Sequence, residues 1–405
     1  MSLAFGRDLR VMPGPSVIPD RVLRAMHRAA PNIYGGELAE VTEGVLAGLR
    51  RVARTSGDVA LYIGNGHAAW EAATANLLAP GERALVVVTG RFGQGWADTA
   101  ARMGIAVETL DEGFRAAADP GRIEDRLRAD REGRIKAVLV VHADTASSVR
   151  NDIPAVRAAI DAAGHPALLA VDGVASLGCD RLEMDAFGAD LLVGACQKGL
   201  MTPPGVAAVW IGPRARAAAV DCRSPYWDWG PRIAPARYYQ LFCGTAPTHH
   251  IYGLAEALAM IEAEGLENVW ARHAAFARAV WAAVEAWGAA GALALNIADP
   301  ARRSHAVTTV RLAGAGALPL QRWCEAEAGL TLGVGLVGPG EREEDLFRIA
   351  HMGHVDPPML LGALATIEAG LAACGLPHGR GAVEAAARVI AAARPVAARP
   401  VAAEA

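Results

Sequence analysis

The chain of 405 residues, 53% hydrophobic and 20% charged, is long enough to bury a large core and to form two domains. A net charge of -4 leaves no basic excess for nucleic acid and no polybasic segment for a membrane surface, so small molecules are the expected partners. Six cysteines without a C-x-x-C pair exclude a regular disulfide framework or zinc site and suit a reducing, cytoplasmic setting; no apolar run reaches bilayer length, and the N-terminus lacks a signal-peptide core.

Residues 1–20 read as an extended N-terminal arm, because Met12-Pro13-Gly14-Pro15-Ser16 cannot be helical in its middle. A helix is predicted over 19–28, and an irregular Gly/Pro loop over 30–38, whose Asn32 and Tyr34 either lie on the surface or reach into a site. A further helix is predicted over 41–53. Apolar runs at 59–63, 84–88, 105–110, 137–141, 167–171, 191–194 and 206–211 then mostly alternate with helical segments. Such alternation predicts an α/β fold: a mostly parallel seven-stranded sheet with helices on both faces and right-handed crossovers. Past residue 211 come an aromatic, proline-bounded loop at 224–231, a polar loop at 242–248 and a helix at 251–264. A long helix over 267–287 leads to strand patterns at 306–312 and 345–350 and helices at 319–328 and 357–373. The predicted division is a large domain over 21–265, a smaller C-terminal α+β domain over 266–393, and an Ala/Pro tail over 394–405 that frays.

Strands that are apolar throughout are buried on both faces, so only their carboxyl tips can present functional groups, and in a parallel sheet those tips share one crevice. Five tips carry glycine or polar residues: Gly64-Asn65-Gly66-His67, Thr89-Gly90-Arg91-Phe92-Gly93, His142-Ala143-Asp144-Thr145, Asp172-Gly173 and Ala195-Cys196-Gln197-Lys198. A carboxylate at Asp172 can keep a pyridinium nitrogen protonated while the amine of Lys198 condenses with an aldehyde, a pairing that suits pyridoxal phosphate. The alternative is an Asp–Lys ion pair that only joins two strands. Gly66 and His67 open a helix whose backbone N–H groups can hold a phosphate. Phe92 offers a flat face for a ring, or is core; Thr145 can donate to a cofactor oxygen, or cap a turn. The same first tip fits the dinucleotide pattern G-x-G-x-x-A through Gly64, Gly66 and Ala69. That pattern requires an acidic residue at the next tip, where Thr89 stands, so a dehydrogenase is a distant alternative.

With these stretches assembled, and with Pro13-Gly14-Pro15, Thr245-Ala246-Pro247 and Phe347-Arg348-Ile349-Ala350-His351-Met352-Gly353 added, the chain resembles the class V, fold-type I pyridoxal phosphate (PLP) enzymes, in particular the alanine/serine:glyoxylate aminotransferases. The resemblance implies Lys198 as the catalytic Schiff-base lysine and Asp172 as the partner of the pyridinium nitrogen. It implies Gly66, His67 and Gln197 on the phosphate, Phe92 on the ring and Thr145 on the cofactor. Thr245 would reach the phosphate of the neighbouring subunit in a homodimer with shared sites, Arg348 would grip the substrate carboxylate, and Tyr34 would lie near the substrate; no metal is implied. The reaction implied is a two-step transfer of an amino group from alanine or serine to glyoxylate, with aspartate as another donor and pyridoxamine–pyruvate transfer as alternatives.

Three departures stand out. Phe242 replaces an aromatic hydroxyl, and the loop 32–36 lacks a histidine–arginine pattern of serine-preferring members. The family's E-[ST]-x-T-G run reads Asp144-Thr145-Ala146-Ser147-Ser148, without its glycine. A cysteine desulfurase is disfavoured because Cys324 falls within a helical run as a packed thiol, and a PLP-binding regulator because no DNA-binding segment is visible.

Overall fold

The computed structural model describes residues 2–394 except 315 and 339; the tail expected over 394–405 lies, from 395 onward, outside the described residues. In chain order the strands are β1 (Leu9–Val11), β2 (Asp58–Gly64), β3 (Arg83–Val88), β4 (Ala106–Asp111), β5 (Ile135–Val141), β6 (Ala143–Asp144), β7 (Val149–Arg150), β8 (Leu168–Asp172), β9 (Leu191–Ala195), β10 (Gly205–Ile211), β11 (Leu293–Leu295), β12 (Val307–Leu312), β13 (Leu330–Val334) and β14 (Leu346–Ala350).

A seven-stranded sheet has the order β2-β10-β9-β8-β5-β3-β4, and β10 alone runs against the others. The two faces are read directly from alternate residues. Leu61, Leu85, Val87, Val138, Val140, Leu169 and Val171 face one buried core, while Tyr62, Val86, Val88, Leu139, Leu168 and Ala170 face a second core across the sheet. Both sets are apolar, which is why these strands read as unbroken hydrophobic runs. Gly194 is required where β9 meets β10, because a Cβ there would lie 2.7 Å from the ring of Trp210. All seven strand predictions hold, as does the mainly parallel sheet covered on both faces.

A five-stranded sheet, β1-β13-β14-β12-β11, packs on its own core around Phe276, Val284, Trp287, Phe347 and Leu364. The expected arm is extended, but it does more than hang free: Leu9–Val11 pairs parallel with Leu330–Leu332 and Val11 enters that core. Strands β11 and β13 and the helix Ala382–Ala392 are additions to the sequence reading. The helices Thr248–Glu264 and Leu266–Gly288 meet at Gly265, whose φ of 83° is open to glycine without strain. Buried Asp180, after β8, is tied to the segment before β12, accepting from the Ser304 hydroxyl at 2.9 Å and the His305 N–H at 2.9 Å. No helix among the described residues is long and apolar enough to cross a membrane.

Candidate active site

The carboxyl tips of β2, β5, β8 and β9 converge on a cavity of about 170 Å³ lined by Gly66, His67, Phe92, Thr145, Asp172, Gln197 and Lys198, with Asn65, Trp70 and Val174 among the remaining walls. One wall is the start of the helix Gly66–Leu77. Asn65 caps it by accepting from the His67 N–H at 3.0 Å, and Gly66 gives clearance, since a Cβ there would lie 3.0 Å from Val174 Cγ2. Gln197 has a buried side-chain oxygen with no hydrogen-bond partner, which marks an amide awaiting an external group; a half-turn of that amide presents its NH2 instead. Burial lowers the pKa of His67, and the Lys198 charge adds to that, against Glu71.

Asp172, also lining the cavity, is 3% exposed. Its Oδ1 accepts from the Val174 N–H at 2.7 Å and its Oδ2 from the indole N–H of Trp70 at 2.8 Å. Burial raises its pKa to about 6 despite these donors. Lys198 is lowered to about 8, by burial first and by the Arg348 charge second, while Asp172 opposes the change. Its ammonium donates to the Pro13 carbonyl, and Gly14 (φ 98°) has no room for a Cβ, which would lie 2.8 Å from the lysine stem. Ser16 closes the clasp, its hydroxyl donating to the Lys198 carbonyl at 2.7 Å. The arm thus holds the lysine turn from outside the sheet.

Arg348 is an inward charge, 7% exposed. Its Nε donates to the Val334 carbonyl at 2.7 Å and its Nη1 to the Thr145 carbonyl at 3.0 Å, anchoring it beside the cavity. Burial brings it to about 10, so it remains a cation at neutral pH. Asp144, to which the sequence reading gave no role, organises this wall. Its Oδ2 accepts from the N–H groups of Phe92 (2.8 Å) and Gly93 (3.1 Å), its Oδ1 from Ala146 (3.0 Å), and its charge faces Arg348. Trp70 is a second such residue, packed between Trp96, Phe92 and His67. Two expected site residues stand apart from the cavity of their own chain: Thr245 is exposed on the loop before the helix Thr248–Glu264, and Tyr34 is 86% exposed. Among the described residues no group of His, Cys, Asp and Glu could hold a metal ion.

A helix start with its backbone N–H groups, a lysine with weakened charge, and a buried carboxylate share one cavity. These residues fit a flat ring bearing a nitrogen at one end and a phosphate at the other. The family model for class-V aminotransferases matches residues 14–336. The serine–glyoxylate aminotransferase of Methylorubrum extorquens is 37% identical over 377 residues, 90% of this chain and 91% of that protein. The L-aspartate–glyoxylate aminotransferase of Paracoccus denitrificans is 36% identical over 90% of this chain and 91% of that protein. Among solved structures, pyridoxamine–pyruvate aminotransferase from Mesorhizobium loti matches with a TM-score of 0.85 at 28% identity, covering 97% of this chain and 100% of that one. The chain belongs to the class-V aminotransferases and is a transaminase.

Proposed function

We propose that this transaminase uses PLP to move an amino group from a small amino acid, alanine or serine, to glyoxylate. The observation that carries the reading is Lys198 and Asp172 lining one cavity together with the Gly66–His67 helix start. When bound, the cofactor supplies an aldehyde that takes up the amino group and a pyridine ring that accepts the electrons left at Cα. The chain's residues do the rest. Lys198, its pKa lowered by burial, would hold the cofactor until the donor's own amine displaces it, and the amine so freed would carry the proton lost from Cα. Asp172 holds the proton on the ring nitrogen. Gly66, His67 and Gln197 bind the phosphate, Phe92 covers the ring, Thr145 contacts the cofactor, and Arg348 receives the substrate carboxylate in its planar fork.

A donor with a second carboxylate needs a second cation. Among the described lining residues of this chain Lys198 is assigned to the cofactor and burial holds His67 toward its neutral form, so neither offers that cation, which supports alanine or serine over aspartate. The likeness to a pyridoxamine–pyruvate enzyme sustains a second reading, but pyridoxamine carries no phosphate and leaves the cradle at Gly66 and Gln197 without its ligand. Thr245 and Tyr34, exposed on their own chain, are assigned to the partner's site in a homodimer. Six unpaired cysteines support a cytoplasmic location, and a division near Gly265 into a large and a small domain is part of the same reading. A panel of alanine, serine, aspartate and pyridoxamine against glyoxylate and pyruvate tests the substrate assignment. Glycine should form fastest from alanine or serine with glyoxylate; a preference for pyridoxamine with pyruvate would replace it.

A further inference from the structure

The carboxylate of Asp172 has one donor on each oxygen, a backbone N–H from Val174 on Oδ1 and the Trp70 indole on Oδ2, which fixes its rotation and leaves further lone pairs for a ligand. Trp70 is the side-chain donor in that pair, and its ring is held from three sides. Trp96 stacks parallel at 6.1 Å and 9°, Phe92 meets it edge-on at 6.3 Å, and His67 lies at 4.5 Å. Trp96 is itself tied to Thr74, on the same helix, at 3.3 Å. A phenylalanine would keep an aromatic ring here, with less bulk and no N–H. The N–H is what distinguishes tryptophan here, and a buried carboxylate that loses a donor takes up a proton more readily.

We propose that Trp70 is a positioning residue: its indole N–H orients the Asp172 carboxylate and keeps it an anion, so that the proton shared with the cofactor rests on the ring nitrogen. The proposal rests on the PLP reading above for its consequence, but not for its geometry. One helix then serves both ends of the cofactor. Its first turn, at Gly66 and His67, faces the phosphate, and Trp70, one turn later, governs the carboxylate under the ring nitrogen.

The test is a titration of the Asp172 carboxyl carbon by NMR in cofactor-free protein carrying labelled aspartate, with the resonance identified by its absence in Asp172→Asn. In Trp70→Phe the midpoint should rise by roughly one to two units, the worth of one hydrogen bond to a charged group. Trp70→His, which keeps a ring N–H while losing bulk, should titrate nearer the wild type and serves if the phenylalanine variant folds poorly. A second measurement is the affinity for PLP. Trp70→Phe should weaken it several-fold in the wild-type background and have no further effect in Asp172→Asn. An unchanged carboxyl midpoint in a folded Trp70→Phe protein overturns the proposal. Wild-type protein that fails to take up PLP overturns the parent reading instead, and the carboxyl titration still decides what Trp70 does.

Discussion

Lys198 and Asp172 are both drawn toward neutrality by burial, the amine down to about 8 and the carboxyl up to about 6. The aldehyde reacts with the unprotonated amine, of which about one tenth is present one pH unit below the pKa. Uptake of PLP by cofactor-free protein should therefore accelerate about tenfold from pH 7 and level off above pH 8 to 9, a profile measurable by stopped-flow absorbance. A rate independent of pH over that range would mean that the lysine is already neutral. Arg348 makes a different prediction, because its two carbonyl anchors leave the rest of the fork for a carboxylate. Arg348→Ala should weaken binding of both the amino donor and glyoxylate by about 2–5 kcal/mol, with Arg348→Lys losing less, while cofactor absorbance is unchanged. Unaltered substrate affinity would place the carboxylate anchor elsewhere.

The elements that present these residues were readable to different degrees. The seven sheet strands and most helices follow from local apolar pattern, and the convergence of Asp172, Lys198 and Gly66 follows from their places at carboxyl tips. The pairing of Leu9–Val11 with β13 could not be read in this way, because three residues carry no period and the partner lies more than three hundred positions away. Nor could the roles of Trp70 and Asp144: an aromatic in a helix reads as core, and an acid after a strand reads as a turn, until their partners are known. The missing glycine at 148 is a clearer case. Ser148 retains the left-handed backbone, φ 61°, that the family's glycine would adopt, so this chain holds the turn at a steric cost. Ser148→Gly should raise stability by roughly 0.5–1 kcal/mol, read as a higher melting temperature, since relief of the strain exceeds the added freedom of the unfolded chain. A fall in melting temperature would show that the Ser148 side chain contributes more than its backbone costs. Asp144→Ala should destabilise the start of the helix Arg91–Arg102, leaving the buried N–H groups of Phe92 and Gly93 without an acceptor at a cost of about 1–3 kcal/mol.

At the scale of the whole molecule, a single chain leaves Thr245 exposed, along with Phe5 (92%) and Tyr34 (86%). A homodimer in which each chain lends Thr245 to its partner accounts for these exposures. Sedimentation should then give at least a dimer. Mixing Lys198→Ala with Thr245→Ala subunits should create one intact site per hybrid, since Lys198 of one chain would meet the Thr245 hydroxyl of the other. No recovery of PLP affinity in verified hybrids would confine each site to one chain. Borohydride reduction of the protein loaded with PLP, followed by peptide mapping, tests the Lys198 assignment most directly. One phosphopyridoxyl group per chain, on Lys198, is expected. A label on another residue, or a wild-type protein that takes up no cofactor, would contradict it.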